Sequence, residues 1–189
     1  MRNLKTIAIA LVVALGTLTA NAQSKAINTK SSDIKWVGKK TGGEHSGDMK
    51  FKEGKLDFKG GKLTGGSFVV DMNSINVTDL KAGEGKEKLE GHLKADDFFG
   101  TAKHATSKLV FKSVKAKTAS VYTVTADLTI KNITKPVTFD LTVNKNSATT
   151  TFAVDRTKYD IKYKSKNFFE GLGDNFIHDE FDLTVNLQF

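Results

Sequence analysis

Three segments of the chain alternate apolar and polar residues with a period of two. Tyr122, Val124, Ala126, Leu128 and Ile130 interleave with Thr123, Thr125, Asp127 and Thr129. Val137, Phe139, Leu141 and Val143 interleave with Thr138, Asp140 and Thr142, and Phe181, Leu183, Val185, Leu187 and Phe189 with Asp182, Thr184, Asn186 and Gln188. Successive side chains of a strand point to opposite faces, so each segment predicts a β-strand with one apolar and one wet face. Weaker alternation over residues 34–37, 49–51, 56–58, 67–72, 109–114 and 150–154 raises the expected total to eight or nine strands. Gly42-Gly43, Gly54, Gly60-Gly61, Gly65-Gly66 and residues 144–146 read as the turns between them. One stretch breaks the period. Residues 84–94 (EGKEKLEGHLK) are good helix formers with Leu89 and Leu93 on one face, and predict a short helix despite Gly91. Asp96-Asp97-Phe98-Phe99 follows, with one of its aromatics expected to plug an end of the sheet.

Many short antiparallel strands in one domain indicate an all-β sandwich or barrel. Purely local connections favour a single up-and-down antiparallel β-barrel of about eight strands, with the short helix near residues 84–94 laid over one end. A barrel of that size is either filled by side chains or holds one small ligand. The apolar faces draw on 13 Phe against three Tyr and one Trp. A Phe-lined interior suits a lipid, because it offers large apolar area with no polar group left to satisfy. On alternation alone, a closed packed core is the plainer reading.

The first 22 residues (MRNLKTIAIALVVALGTLTANA) change the picture of where such a domain works. Arg2 and Lys5 precede an apolar run that is too short to span a bilayer comfortably, and Ala20-Asn21-Ala22 supplies a small-x-small cleavage pattern. The expectation is a signal peptide cleaved near Ala22, with the mature protein periplasmic or secreted. The chain of 189 residues carries 29 Lys+Arg against 21 Asp+Glu. Loss of Arg2 and Lys5 with the leader turns the net +8 into +6, carried by Lys with Arg156 as the single Arg. Nucleic-acid readers rely heavily on Arg, whereas these Lys are spread along the polar faces of strands. The sequence therefore predicts no nucleic-acid partner, and at most a transient attraction to an anionic membrane surface. The absence of Cys removes a disulfide framework, a thiol nucleophile and a lipid-modified cysteine anchor. No nucleophile elbow, P-loop or zinc signature occurs, and His45, His92, His104 and His178 have no metal-pair spacing. The reading is of a protein that is not an enzyme and has no metal or cofactor.

Several segments, taken in order, resemble the YceI-like family of exported polyisoprenoid-binding proteins. They are Trp36-Val37-Gly38-Lys39, Gly43-Glu44-His45-Ser46-Gly47, Gly65-Gly66-Ser67-Phe68 through Ile75, and residues 92–99 (HLKADDFF). Leu128-Thr129-Ile130 with Thr134-Lys135-Pro136-Val137, Phe152 through Arg156, Gly171-Leu172-Gly173-Asp174 and Ile177-His178-Asp179-Glu180 complete the series. Asp160, Ala126 and Asn132 stand where the family usually or often has Gly, and His104-Ala105-Thr106 where it usually has a Pro. The resemblance implies a lipocalin-like barrel over residues 23–189 with an elongated apolar cavity. The implied ligand is a long isoprenoid chain of polyprenyl or quinone type, held for carriage, storage or sequestration.

The apolar faces nominate Phe68, Val70, Phe111, Tyr122, Val124, Leu128, Ile130, Phe139, Leu141, Phe152, Val154, Phe181 and Leu183 as the cavity lining. Arg156 shares an alternation with Phe152 and Val154 and is expected to face inward. There it needs either a ligand head group or an internal acid, Asp155, Asp179 or Glu180. His45 and Tyr163 are lesser candidates for the mouth. Two other classes stay open: a small outer-membrane β-barrel, suggested by the leader and the terminal FDLTVNLQF, and a structural exported domain with a closed core. The expected state is a monomer or dimer.

Overall fold

A computed structural model describes residues 22–189. The expected leader lies outside the described residues apart from Ala22, which opens the first strand. The elements are β1 (Ala22–Ala26), β2 (Asp33–Lys40), β3 (Gly43–Lys59), β4 (Lys62–Val77), α1 (Lys86–Lys94), β5 (Thr106–Ala116), β6 (Val121–Ile130), β7 (Ile133–Val143), β8 (Ser147–Asp155), a 3-10 turn (Arg156–Tyr159) and β9 (Ile177–Gln188). All pairings are antiparallel, and from β2 to β9 each strand pairs with its neighbour in sequence. Strand β9 returns to β2, with Leu183 opposite Trp36, and closes an eight-stranded up-and-down barrel. Strand β1 is a ninth, laid along the far end of β3 with Gln23 opposite Phe58. The barrel, its strand number and the helix are as the sequence indicates; α1 spans Lys86–Lys94.

The weak early segments merge into two long strands, and the reason lies in their glycines. Strands β3 and β4 run for 17 and 16 residues, and the β3–β4 pairing shifts register at Asp48/Lys50, Phe51/Glu53 and Asp57/Phe58. Such bulges bend and twist a strand, so one long segment can follow a barrel wall. Gly54 is therefore not a turn. It sits within β3 opposite Phe68, and a Cβ there would lie 2.5 Å from Phe68 Cδ1. The tight turns fall at Gly60-Gly61, both at positive φ, and at Lys131-Asn132, with φ of 50° and 62°. Positive φ at both central residues matches the turn geometry that two-residue hairpins favour, so Asn132 fills the role that Gly would. Asp160, at φ 59°, likewise holds a left-handed position.

The two faces of the barrel differ sharply. Tyr122, Val124, Ala126, Leu128 and Ile130 of β6 are buried, while the intervening Thr and Asp look outward. Outer hydroxyls pair across strands, as in Thr125–Thr138 at 3.3 Å and Thr129–Thr134 at 2.8 Å. An apolar inside and polar outside is the reverse of a membrane-spanning barrel, which turns its apolar band to lipid. Among the described residues no helix is long and apolar enough to cross a membrane.

Candidate functional site

Inside the barrel, five phenylalanines form a continuous series of ring contacts across its wall. Phe51–Phe68 and Phe68–Phe111 have centroids 6.0 and 5.8 Å apart, Phe111–Phe139 6.2 Å, and Phe139–Phe152 stack at 4.6 Å. They come from β3, β4, β5, β7 and β8, each from an inward position of its alternation. Strand β6 contributes no ring to the series. Its Ala126 pairs with Phe111 on one side and Val137 on the other, and a residue that small lets Phe111 and Phe139 meet across it. These rings surround a small residual chamber of about 90 Å³, whose lining is apolar except for Ser107, Lys108 and Thr150.

A larger vestibule of about 520 Å³ adjoins the chamber. It lies between α1, the end of the β2–β3 hairpin and the loop of residues 160–176. Leu89 and Leu93 of α1, Trp36, Ile75, Phe98 and Phe176 supply its apolar walls. Lys39, Lys40, Lys88 and Lys164, with His45, His92 and His178, supply cationic or titratable groups, against Asp174 and Glu180. Three side chains, Met49, Phe99 and Phe181, line both spaces and so form the partition between them. Phe99 meets Phe181 edge-on at 6.2 Å.

The covering helix is lightly held. No residue of α1 is buried, and its N-terminus follows Gly85 at φ 100° with no side-chain cap. It is tied to the barrel by Val77 N–H donating to Glu90 Oε1 at 2.8 Å and Lys86 donating to Asn76 at 2.9 Å. Its own His92, in the last turn, packs edge-on against Phe98 at 5.0 Å and Tyr163 at 4.6 Å. His45 Nδ1 lies 2.8 Å from Asp79 Oδ2, and Ser46 N–H donates to Asp79 Oδ1 at 3.0 Å. Burial pushes the Asp79 carboxyl up, but the hydrogen bonds from Ser46, His45 and its own backbone N–H, with the His45 charge, hold Asp79 below its ordinary value. Trp36 Nε1–H is buried in the vestibule wall without a partner.

Of the thirteen side chains read as cavity lining, ten stand around the inner chamber: Phe68, Val70, Phe111, Leu128, Ile130, Phe139, Leu141, Phe152, Phe181 and Leu183. Tyr122, Val124 and Val154 are buried in the same core but do not reach the chamber. Periodicity finds the inward face of a strand; it does not tell how deep a neighbour sits in front of it. His45, Tyr163 and Arg156 all reach the vestibule.

Arg156, however, has one N–H on each of its three guanidinium nitrogens committed to a backbone carbonyl. Nε donates to His178 O at 3.0 Å, Nη1 to Ile161 O at 2.8 Å and Nη2 to Ile177 O at 3.0 Å, with Asp179 Oδ1 3.5 Å away. Burial lowers its pKa, and Asp179 and Asp155 oppose that. The guanidinium thus ties residues 161 and 177–178 together beneath the vestibule. Backbone carbonyls are its hydrogen-bond partners, with Asp179 as the nearby internal acid. Met49, Phe99, Trp36 and α1's leucines were not among the nominated residues. Of these, Phe99 carried a signal as part of the expected plug, Leu89 and Leu93 as one face of the expected helix, and Trp36 within a resemblance motif; Met49 carried none as a site residue.

A family model for the YceI-like domain matches residues 25–189. The chain belongs to the YceI-like family. Curated relatives named UPF0312 include one from Shewanella denitrificans, 36% identical over 86 residues, covering 46% of this chain and 42% of the relative. Another, from Pseudomonas fluorescens, is 32% identical over 98 residues, covering 52% and 48%. The chain thus spans less than half the length of these curated relatives. Among solved structures, BcnA of Burkholderia cenocepacia superposes with a TM-score of 0.67 at 18% identity, covering 85% of this chain and 98% of that one. A polyisoprenoid binding domain from Saccharophagus degradans gives 0.57 at 13% identity, covering 86% and 95%. Identities this low speak for the YceI-like fold. Among the described residues, no group of three or more His, Asp or Glu side chains converges as a metal site.

Proposed function

We propose that this protein is an exported carrier, store or sequestering agent for a long isoprenoid lipid of polyprenyl or quinone type. One observation carries the reading: a Phe-lined barrel interior separated from a 520 Å³ vestibule by only three flexible or aromatic side chains. The vestibule falls within the range of small-molecule sites, roughly 300–1,000 Å³, whereas the 90 Å³ chamber does not. A chain therefore enters by displacing Met49, Phe99 and Phe181 and rearranging the rings behind them. Each CH₂ moved from water into that interior contributes about 0.8 kcal/mol, set against the entropy of ordering the chain. The unpartnered Trp36 Nε1–H and the vestibule lysines favour a head group that bears acceptor oxygens. The neighbour described as a polyisoprenoid binding domain supports the ligand class. The leader pattern over residues 1–22 supports export to the periplasm. The role is binding, with no catalysis and no cofactor beyond the lipid.

The test is organic extraction of protein purified from its native compartment, followed by mass spectrometry, and titration of the delipidated protein with a polyprenyl lipid. Recovery of a prenyl lipid near one per protein is expected. No lipid in repeated extractions together with no uptake on titration would sink the proposal.

A further inference from the structure

Large apolar side chains are rarely exposed among the described residues. Only Val110, Phe168 and Phe169 stand out, at 46%, 50% and 47% exposure. Two of the three are adjacent, at the tip of the loop that walls the vestibule.

That tip is built to stand where it does. Ser165, fully buried, accepts the N–H of Phe168 at 3.1 Å and of Phe169 at 3.0 Å through its carbonyl, and the Asn167 N–H at 3.2 Å through its hydroxyl. Asn167 Nδ2 donates to Asp179 Oδ2 at 2.6 Å, linking the tip to the acid that pairs with Arg156. The loop's base is fixed by Ile177 N–H to Lys164 O at 2.9 Å and Thr41 N–H to Phe176 O at 3.1 Å. Adjacent exposed aromatics rimmed by polar residues are the kind of patch that marks an interaction site.

Three lysines, Lys162, Lys164 and Lys166, precede the pair in the same loop. Lys162 Nζ lies 5.1 Å from the Phe168 ring centroid, Lys166 Nζ lies 3.7 Å from that of Phe176, and Lys164 lines the vestibule. Asp160, Glu170 and Asp174 are the acids of the same loop, and Asp160 Oδ1 pairs with Lys162 at 2.8 Å. Aromatic residues projecting beyond a cationic collar suit the interface of an anionic bilayer, where rings enter the acyl boundary and Lys meets phosphate head groups.

We propose that Phe168 and Phe169, with Lys162, Lys164 and Lys166, dock the protein on an anionic lipid bilayer with the vestibule mouth beside the membrane. The placement follows from Lys164 and Phe176, which belong both to the collar and to the vestibule wall. The surface is independent of what the barrel holds.

Co-sedimentation of the purified protein with vesicles of phosphatidylglycerol and phosphatidylcholine, against pure phosphatidylcholine, tests this. Binding is expected to the anionic vesicles and to fall steeply with salt. Phe168→Ser with Phe169→Ser should weaken it at least tenfold, with the melting temperature unchanged. Lys162→Glu with Lys166→Glu, neither of which lines the vestibule or the chamber, should abolish the preference for anionic vesicles, and stands as the test if the serine pair does not fold. Uptake of a detergent-dispersed polyprenyl lipid should be the same in all variants, which separates this surface from the cavity. Absent vesicle binding, or binding unaffected by both pairs of changes, overturns the proposal. So does a concentration-dependent dimer that the serine pair abolishes while vesicle binding persists, since the patch would then cover a second copy.

Discussion

Replacing Phe99 by Ala removes one of the three side chains standing between vestibule and chamber. The ring is half-buried and packs on Phe98 and Phe181, both at 6.2 Å. A fully buried Phe→Ala change costs about 3–5 kcal/mol, so a half-buried one should cost about 2 kcal/mol. For a domain of this size that lowers the melting temperature by roughly 4–8 °C. The kinetic effect runs the other way. In the native protein the Phe99 ring must swing out before a chain passes, and exposing half of a Phe side chain costs about 1 kcal/mol. Its absence should therefore speed uptake roughly fivefold. Trp36, the chain's single Trp, lines the vestibule, so stopped-flow quenching of its fluorescence by a prenylated quinone reads the rate directly. Release should accelerate too, because the truncated partition no longer closes over the chain. Uptake within twofold of the native rate, in a variant whose melting temperature has dropped, would refute the partition.

Gly54→Ala places a Cβ 2.5 Å from Phe68 Cδ1 and 3.0 Å from Ile27 Cδ1; denaturant unfolding should show a loss of about 1–3 kcal/mol from overpacking, and an unchanged midpoint would argue against the close approach. Arg156→Met strands Asp179 and the carbonyls of Ile161, Ile177 and His178, so unfolding should show a loss of about 3–5 kcal/mol, whereas a near-native midpoint would free the guanidinium for a ligand. Asp79→Asn tests the acid side of stability. The folded carboxyl sits below its ordinary value, held there by Ser46 and His45 against the effect of burial. Its contribution is therefore full above the unfolded pKa of about 3.9 and lost as pH falls through the lower folded value. Melting curves should show the variant less stable at pH 7 and the gap closing toward pH 2; a gap independent of pH would contradict the assignment.

The strands with uninterrupted alternation, β6, β7 and β9, were legible because one face of each is buried and period two is the direct signature of that. Strands β3 and β4 read as fragments because their glycines look like turns in a sequence. In the fold, Gly54 gives up its side-chain space to Phe68, and Gly66 would place a Cβ 3.0 Å from Phe111 and 3.1 Å from Leu56. The inner chamber was legible for the same reason as the strands, since its lining is the inward register. The vestibule was not. Trp36, Leu89, Phe99 and Phe176 come from a strand, a helix, the turn that follows it and a loop, and no single period links them. Arg156 was correctly turned inward by its alternation with Val154, but the carbonyls that hold it come from residues 161 and 177–178, a loop base with no pattern of its own.

The central claim is that an isoprenoid chain lies inside the barrel, past the Phe99–Phe181 partition. Photo-crosslinking with a polyprenyl probe bearing a diazirine at the tail end tests it most directly. The account predicts labelled peptides containing Leu109–Phe111, Leu128–Ile130 and Phe139–Leu141, the inward positions around the chamber. Labelling confined to outward residues such as Lys112, Thr125 and Thr138, or ending at the vestibule, would contradict it.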